Sequence, residues 1–210
     1  SCAFGATHYH PVYGKFKGVA FAKKSLHVKC LSNAGFGSTS SVLEAMQHAY
    51  EWGAEVVSMS LGGPLQGGVD EDPECKVIAA LKDEVIFVVA CGNSGPDYWT
   101  VSSPGASPYA LTVGAWSPHY KDVAIYSSRG PNAKWYKDHP DQWKRDLAKY
   151  GEDLIKPDVC LVGDTILFTP EGPKTIAEID VGEKVLGLAG KSVDWVEVTD
   201  KKNRGVKQIV

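Results

Sequence analysis

The chain has 210 residues, with 22 Lys+Arg against 25 Asp+Glu and a formal net charge of −3. That balance carries no basic footprint for nucleic acid, and no apolar run is long enough to cross a bilayer as a helix. Apolar residues at 43% and charged residues at 22% suit a globular chain of one or two domains, and 22 Gly with 12 Pro fall short of a disordered composition. The first Met is Met46 and no charged-then-apolar leader opens the chain, so a mature, processed or partial chain is expected. Cys2, Cys30, Cys75, Cys91 and Cys160 are odd in number and lack zinc-type spacing, which argues against a fully paired secreted framework.

Leu26, Val28 and Cys30 alternate with polar neighbours and predict a strand over 25–31. Ser41 and Glu44 form a capping-box pattern that opens a helix. Val42, Ala45, Met46, Ala49 and Tyr50 share one helical face, and Gly53 ends it. A strand over 56–61 follows, closed by Gly62, Gly63 and Pro64. Asp72 before Pro73 reads as an N-cap with proline at the first helical position, and that helix runs to about Lys82. Residues 85–90 are wholly apolar, as in strands buried on both faces of a parallel sheet. Further strand-like runs lie at 110–115 and 123–127. The stretch 131–153 is polar and rich in Lys, Asp, Trp and Tyr, and reads as a partly helical surface insertion.

This alternation predicts an α/β fold, a parallel sheet with right-handed crossovers and helices on both faces. From Cys160 onward only short β-type runs remain, at 165–169, 184–187, 193–198 and 208–210, between Gly, Pro and Asp turns. They predict a small all-β segment and place a domain boundary between Val159 and Cys160, giving units 1–159 and 160–210.

Ligands on parallel sheets sit beyond the carboxyl ends of the strands. That directs attention to Ser60, Leu61, Gly62 and Gly63, and to Cys91, Gly92 and Asn93. The amide of Asn93 follows a buried strand among glycines; it could donate to a developing oxyanion, or simply supply the hydrogen bonds of a turn. His8 and His10 have no third ligand nearby and read as loop histidines, so no metal site is expected. Cys91 reads as an inert packing cysteine at a strand end.

Several segments occur in order: Gly18-Val-Ala, Val28-Lys-Cys-Leu31, Gly53-Ala-Glu-Val-Val-Ser-Met-Ser-Leu-Gly-Gly-Pro64, Val89-Ala-Cys-Gly-Asn-Ser-Gly-Pro96, Ser103-Pro-Gly105, Leu111-Thr-Val-Gly-Ala115, Ser127-Ser-Arg-Gly-Pro131 and Ile155-Lys-Pro-Asp-Val159. Together they resemble the subtilisin-like serine proteases over residues 1–159. The resemblance implies a serine endopeptidase acting on peptide or protein substrates, with Asn93 completing the oxyanion hole. It implies that Ser60, Leu61, Gly62 and Gly63 form the edge on which a substrate pairs as a strand. Ala90, Cys91 and Gly92 would line the pocket for the residue before the scissile bond. The family's triad runs Asp, His, Ser in chain order. Its H-G-T-H-V-A segment would precede Ser1-Cys-Ala-Phe-Gly5, and its G-T-S-M-A segment would follow the present chain. This chain alone is therefore expected to be inactive. No cofactor is implied; calcium use would follow from the resemblance only, since no ligand set stands in the sequence.

A second resemblance begins at Cys160. Cys160-Leu-Val-Gly-Asp-Thr165, Pro173-Lys-Thr-Ile-Ala-Glu-Ile179 and Val181-Gly-Glu-Lys-Val-Leu-Gly187 resemble the N-terminal block of an intein or related Hint domain. The resemblance implies that the Cys160 thiol is a splicing nucleophile on the carbonyl of Val159. The partners implied are the rest of the protease and of the intein, with no nucleic acid and no membrane. Subtilases are mostly secreted, and a reduced thiol requires splicing before export. Two other readings stand beside this one: a Hint-type autoprocessing protein on a non-catalytic subtilase-like scaffold, and an inactive subtilase that binds peptides.

Overall fold

The computed structural model describes residues 24–117 and 122–160, with shorter backbone stretches at 8–11, 14–16, 166–169, 172–175, 182, 184–189, 192–197, 201–202 and 205–206. Strands β1 (His8–His10) and β2 (Gly14–Phe16) pair as an antiparallel hairpin. Helix α1 (Thr39–Glu51) begins earlier than the capping-box pattern predicts. Ser38 is extended and caps the helix, its hydroxyl accepting from the N–H of Ser41 at 3.2 Å. A run of four hydroxyl residues offers several caps, and the one that keeps extended backbone takes the role. Gly53 ends the helix at φ +84°, a conformation open to glycine.

Strand β3 (Val56–Met59) leads to α2 (Pro73–Leu81), then β4 (Ile86–Ala90) and β5 (Leu111–Gly114). A short antiparallel pair follows, β6 (Trp116–Ser117) with β7 (Asp122–Val123). The strand expected over 123–127 stops there; Ile125 and Tyr126 are 71% and 54% exposed, in a turn. Then come α3 (Lys134–Asp138), α4 (Pro140–Tyr150) and β8 (Val159–Cys160). The sheet order is β3-β4-β5-β8, all parallel.

That order runs one way, which decides where the helices go. Right-handed crossovers along a one-way order all land on the same side, and helices change faces only where the order reverses. Accordingly Val42 and Met46 of α1 and Ile78 of α2 join one cluster with Met59, Phe87 and Val89. Each fully buried side chain of this kind contributes roughly 1.5–3 kcal/mol. The opposite row, Val56, Ser58, Ile86 and Val88, is exposed or half-buried. The expected covering of both faces is thus seen on one face among the described residues.

The strand expected over 25–31 does not form. Residues 25–30 have no ladder partner. An open cleft of about 1490 Å³ lies between residues 24–33 and the α1–β3 segment that ends at Leu61. Alternation makes a strand only where another edge is within hydrogen-bonding reach. Val28 and Val56, on opposite sides of this cleft, are 39% and 51% exposed.

The stretch 131–153 is partly helical and largely exposed, as expected, but it also contributes Ala133 and Tyr136 to a second core. Tyr136 and Leu154 are fully buried, packed with Leu65, Val69, Cys75, Val101 and Ala106. Its buried polar groups are satisfied: Tyr136 Oη donates to Asp146 at 2.6 Å and accepts from the Val69 N–H at 3.1 Å, while Gln142 donates to Asp146 at 2.7 Å. A polar composition misreads such a segment, because hydrogen-bonded Tyr and Asp cost little when buried.

Beyond Cys160 the described backbone is antiparallel throughout. Strands β9 (Ile166–Thr169) and β10 (Gly172–Thr175) pair, as do β11 (Lys184–Ala189) with β12 (Ser192–Glu197), and β13 (Lys201–Lys202) with β14 (Gly205–Val206). The strand expected over 208–210 lies outside the described residues.

Candidate active site

The carboxyl ends of β3 and β4 carry the two glycine-containing loops singled out in the sequence, and Ser102 stands between them. A methyl group on Gly62 would come within 2.6 Å of Ser102 Oγ, and one on Gly92 within 2.9 Å. Both loops therefore need glycine for close approach. Gly92 also has φ +108°. Ser102 Oγ donates to the Cys91 carbonyl at 3.1 Å. Gly63 and Ser103 exchange two backbone hydrogen bonds, Gly63 N–H to Ser103 O at 2.9 Å and Ser103 N–H to Gly63 O at 2.8 Å. Ser60 and Gly62 are exposed, Leu61 is half-buried, and neither Leu61 nor Gly62 uses its backbone groups on another described residue.

Asn93 is exposed at the turn after β4, and its side chain has no hydrogen-bond partner among the described residues. The loop around it is held from behind. The Gly95 N–H donates to Tyr126 O at 3.0 Å, and the Ser94 N–H to Ser128 Oγ at 3.1 Å. Cys91 is 2% exposed, its sulfur 3.5 Å from Ser127 Oγ and 3.5 Å from the Ser128 carbonyl. Ala90 is half-buried at the end of β4. The structure thus brings Gly62, Cys91 and Gly92 around Ser102, pairs Gly63 with Ser103, and ties the Asn93 loop to Ser128 and Tyr126. It places Cys160 at the end of β8, paired with Gly114 of the same sheet.

Sequence reasoning read Asp72 only as the α2 N-cap, quoted Ser103, Ser127 and Ser128 only within family-like segments, did not mention Ser102, and gave none of these serines a part in holding the loops. Their signal was a scatter of Ser beside Gly and Pro, which reads as ordinary turn composition. Asp72 shows what tertiary placement adds. As the α2 N-cap it accepts from the N–H groups of Glu74 and Cys75, both at 3.1 Å. It also accepts from Ser103 Oγ at 2.8 Å, tying the helix start to the residue that pairs with Gly63.

Next to it, Glu74 has a buried Oε2 without a hydrogen-bond partner among the described residues. Burial, with the Asp72 charge, pushes its carboxyl up to about 7 from 4.5. A raised carboxyl binds its proton more tightly in the folded state, so stability falls as pH rises from about 4.5 to about 7. Glu74→Gln in the full-length protein is expected to raise Tm by about 2 °C at pH 8 and leave it unchanged at pH 4.5. An equal shift at both pH values in scanning calorimetry would contradict this.

Among the described residues no group of three or more His, Cys, Asp or Glu could hold a metal ion. The family matching residues 2–181 is described as the Subtilase family (peptidase S8), and that match runs past the boundary placed between Val159 and Cys160. The chain is 34% identical over 143 residues to Pyrolysin of Pyrococcus furiosus, covering 55% of this chain and 10% of Pyrolysin. It is 32% identical over 145 residues to the serine protease AprX of Bacillus subtilis, covering 61% of this chain and 32% of AprX. It therefore spans only a minor part of either relative. Among solved structures, sphericase aligns with a TM-score of 0.40 at 29% identity, over 47% of this chain and 34% of that one.

Proposed function

The chain belongs to the Subtilase family, and from that premise we propose that it is the substrate-edge and oxyanion portion of a serine endopeptidase. The observation that carries this reading is the convergence of Gly62 and Gly92 on Ser102. Among the described residues the backbone of Leu61 and Gly62 is unpaired, and so is the exposed Asn93 amide, which supports the reading. A substrate strand on Ser60, Leu61 and Gly62 would bring its carbonyl toward the Asn93 loop, with Ala90, Cys91 and Gly92 as one wall of the pocket. An amide donor that is pre-positioned and unspent can stabilise the oxyanion of the tetrahedral intermediate. Asp, His and Ser of the triad come from other segments of the full-length protein.

Cys160 opens, in the same proposal, a self-splicing element. The Cys160-Leu-Val-Gly-Asp-Thr165 segment supports it, as do the antiparallel pairs described from residue 166 onward. The mature protease is then secreted after splicing. A serine-directed phosphonate tests the protease reading: the full-length protein is expected to be labelled and to hydrolyse a generic peptide, and the 210-residue chain to do neither. Labelling of the short chain, or none in the full-length protein, would overturn it.

A further inference from the structure

We infer that Ser128 is the positioning residue for the Asn93 loop, a role that rests on reading Asn93 as the oxyanion donor. Ser128 holds the chain on both sides of Asn93. Its N–H donates to Gly92 O at 3.0 Å, and its Oγ accepts from the Ser94 N–H at 3.1 Å. The residue before Asn93 is thus tied to the backbone of Ser128 and the residue after it to the Ser128 hydroxyl, in a residue that is 1% exposed. Ser128 is itself anchored through its neighbour: Ser127 Oγ accepts from the Ala115 N–H at 3.0 Å, just past the end of β5. The hydroxyl also sets the shape of the loop, because a methyl group on Gly92 would meet Ser128 Oγ at 2.8 Å.

Among the described residues the Asn93 amide makes no hydrogen bond, so its placement depends on the residues on either side. A donor aimed at a developing charge must hold its position to a fraction of an ångström. Without the Ser128 hydroxyl, water can still satisfy the Ser94 N–H at this exposed loop. Water would not fix the distance between the loop and the protein behind it.

The test uses the full-length protein. Ser128→Ala is expected to lower kcat about tenfold, the size of one hydrogen bond, with KM within about twofold of wild type. Ser128→Cys keeps a weak acceptor of similar shape; its kcat should fall between the two, and it carries the series should the alanine variant not fold. In an Asn93→Ala background, Ser128→Ala should cost no further kcat, because the group it positions is gone. Losses that multiply, or a raised KM at unchanged kcat, would overturn the positioning role. An Asn93→Ala enzyme with normal kcat would instead remove the oxyanion reading, and this inference with it. A normal kcat for Ser128→Ala beside a crippled Asn93→Ala would overturn the positioning role alone.

Discussion

Replacing Asn93 by alanine in the full-length protein is expected to lower kcat by ~10²–10³ while KM stays near its wild-type value. That magnitude is the one known for removing the oxyanion-hole amide of subtilisin and is taken over from it on the proposed role of Asn93. The direction follows from the geometry. Asn93 is exposed and its side chain has no partner among the described residues, so its removal leaves none of their buried groups unsatisfied and little stability is at stake. An amide that meets a charge present only in the transition state contributes to kcat and kcat/KM alike, and hardly to substrate affinity. Steady-state kinetics on a peptide substrate decides it. A raised KM at constant kcat would assign Asn93 to substrate binding, and unchanged constants would leave it a turn residue.

Cys160→Ala should abolish splicing altogether. In the proposed first step the thiolate of Cys160 would attack the carbonyl carbon of Val159. A C–S bond forms, the C–N bond to Cys160 breaks, and the amine takes up the proton released by the thiol. Alanine offers no nucleophile, so the precursor persists at full mass. The position of the junction makes a second consequence follow. Val159 and Cys160 form β8, where Val113 pairs with Val159 and Gly114 with Cys160. The entry to that strand is tied down by a buried ion pair. Lys156 Nζ donates to Asp158 at 2.8 Å and to Ala110 O at 2.8 Å, and the Thr112 N–H donates to Asp158 at 2.7 Å. The side chains of Lys156 and Asp158 are 0% and 4% exposed. Strand β8 is therefore seated in the sheet up to the proposed junction. Mass spectrometry of the expressed full-length protein separates the outcomes. Equal unspliced masses for wild type and Cys160→Ala, with no thiol-induced cleavage after Val159, would refute the splicing role.

Much of the α/β frame was legible without coordinates. Asp72-Pro73 located the start of α2, Gly53 the end of α1, and the apolar run at 85–90 the central strand, because caps and buried strands are written in a few adjacent residues. Gly62, Gly63, Gly92 and Asn93 were legible as strand-end residues for the same reason, and the ordered segments around them carried the family resemblance. Contacts between distant residues were not legible. Whether 25–31 pairs depends on a neighbouring edge, and that segment is separated from β3 by a cleft. The polar stretch 131–153 contributes to a core because Asp146, Gln142 and Val69 satisfy each other and Tyr136 across the fold. A single face for both helices followed from the one-way strand order. The clamp behind the candidate site is of the same kind. Ser102 and Ser128 lie nine or more positions from the glycines they hold, and their sequence neighbours look like any turn. Local sequence determined the elements and the loop residues at their ends. Tertiary structure alone decided which hydroxyls stand behind those loops, since a hydrogen bond between remote residues leaves no periodic trace in the chain.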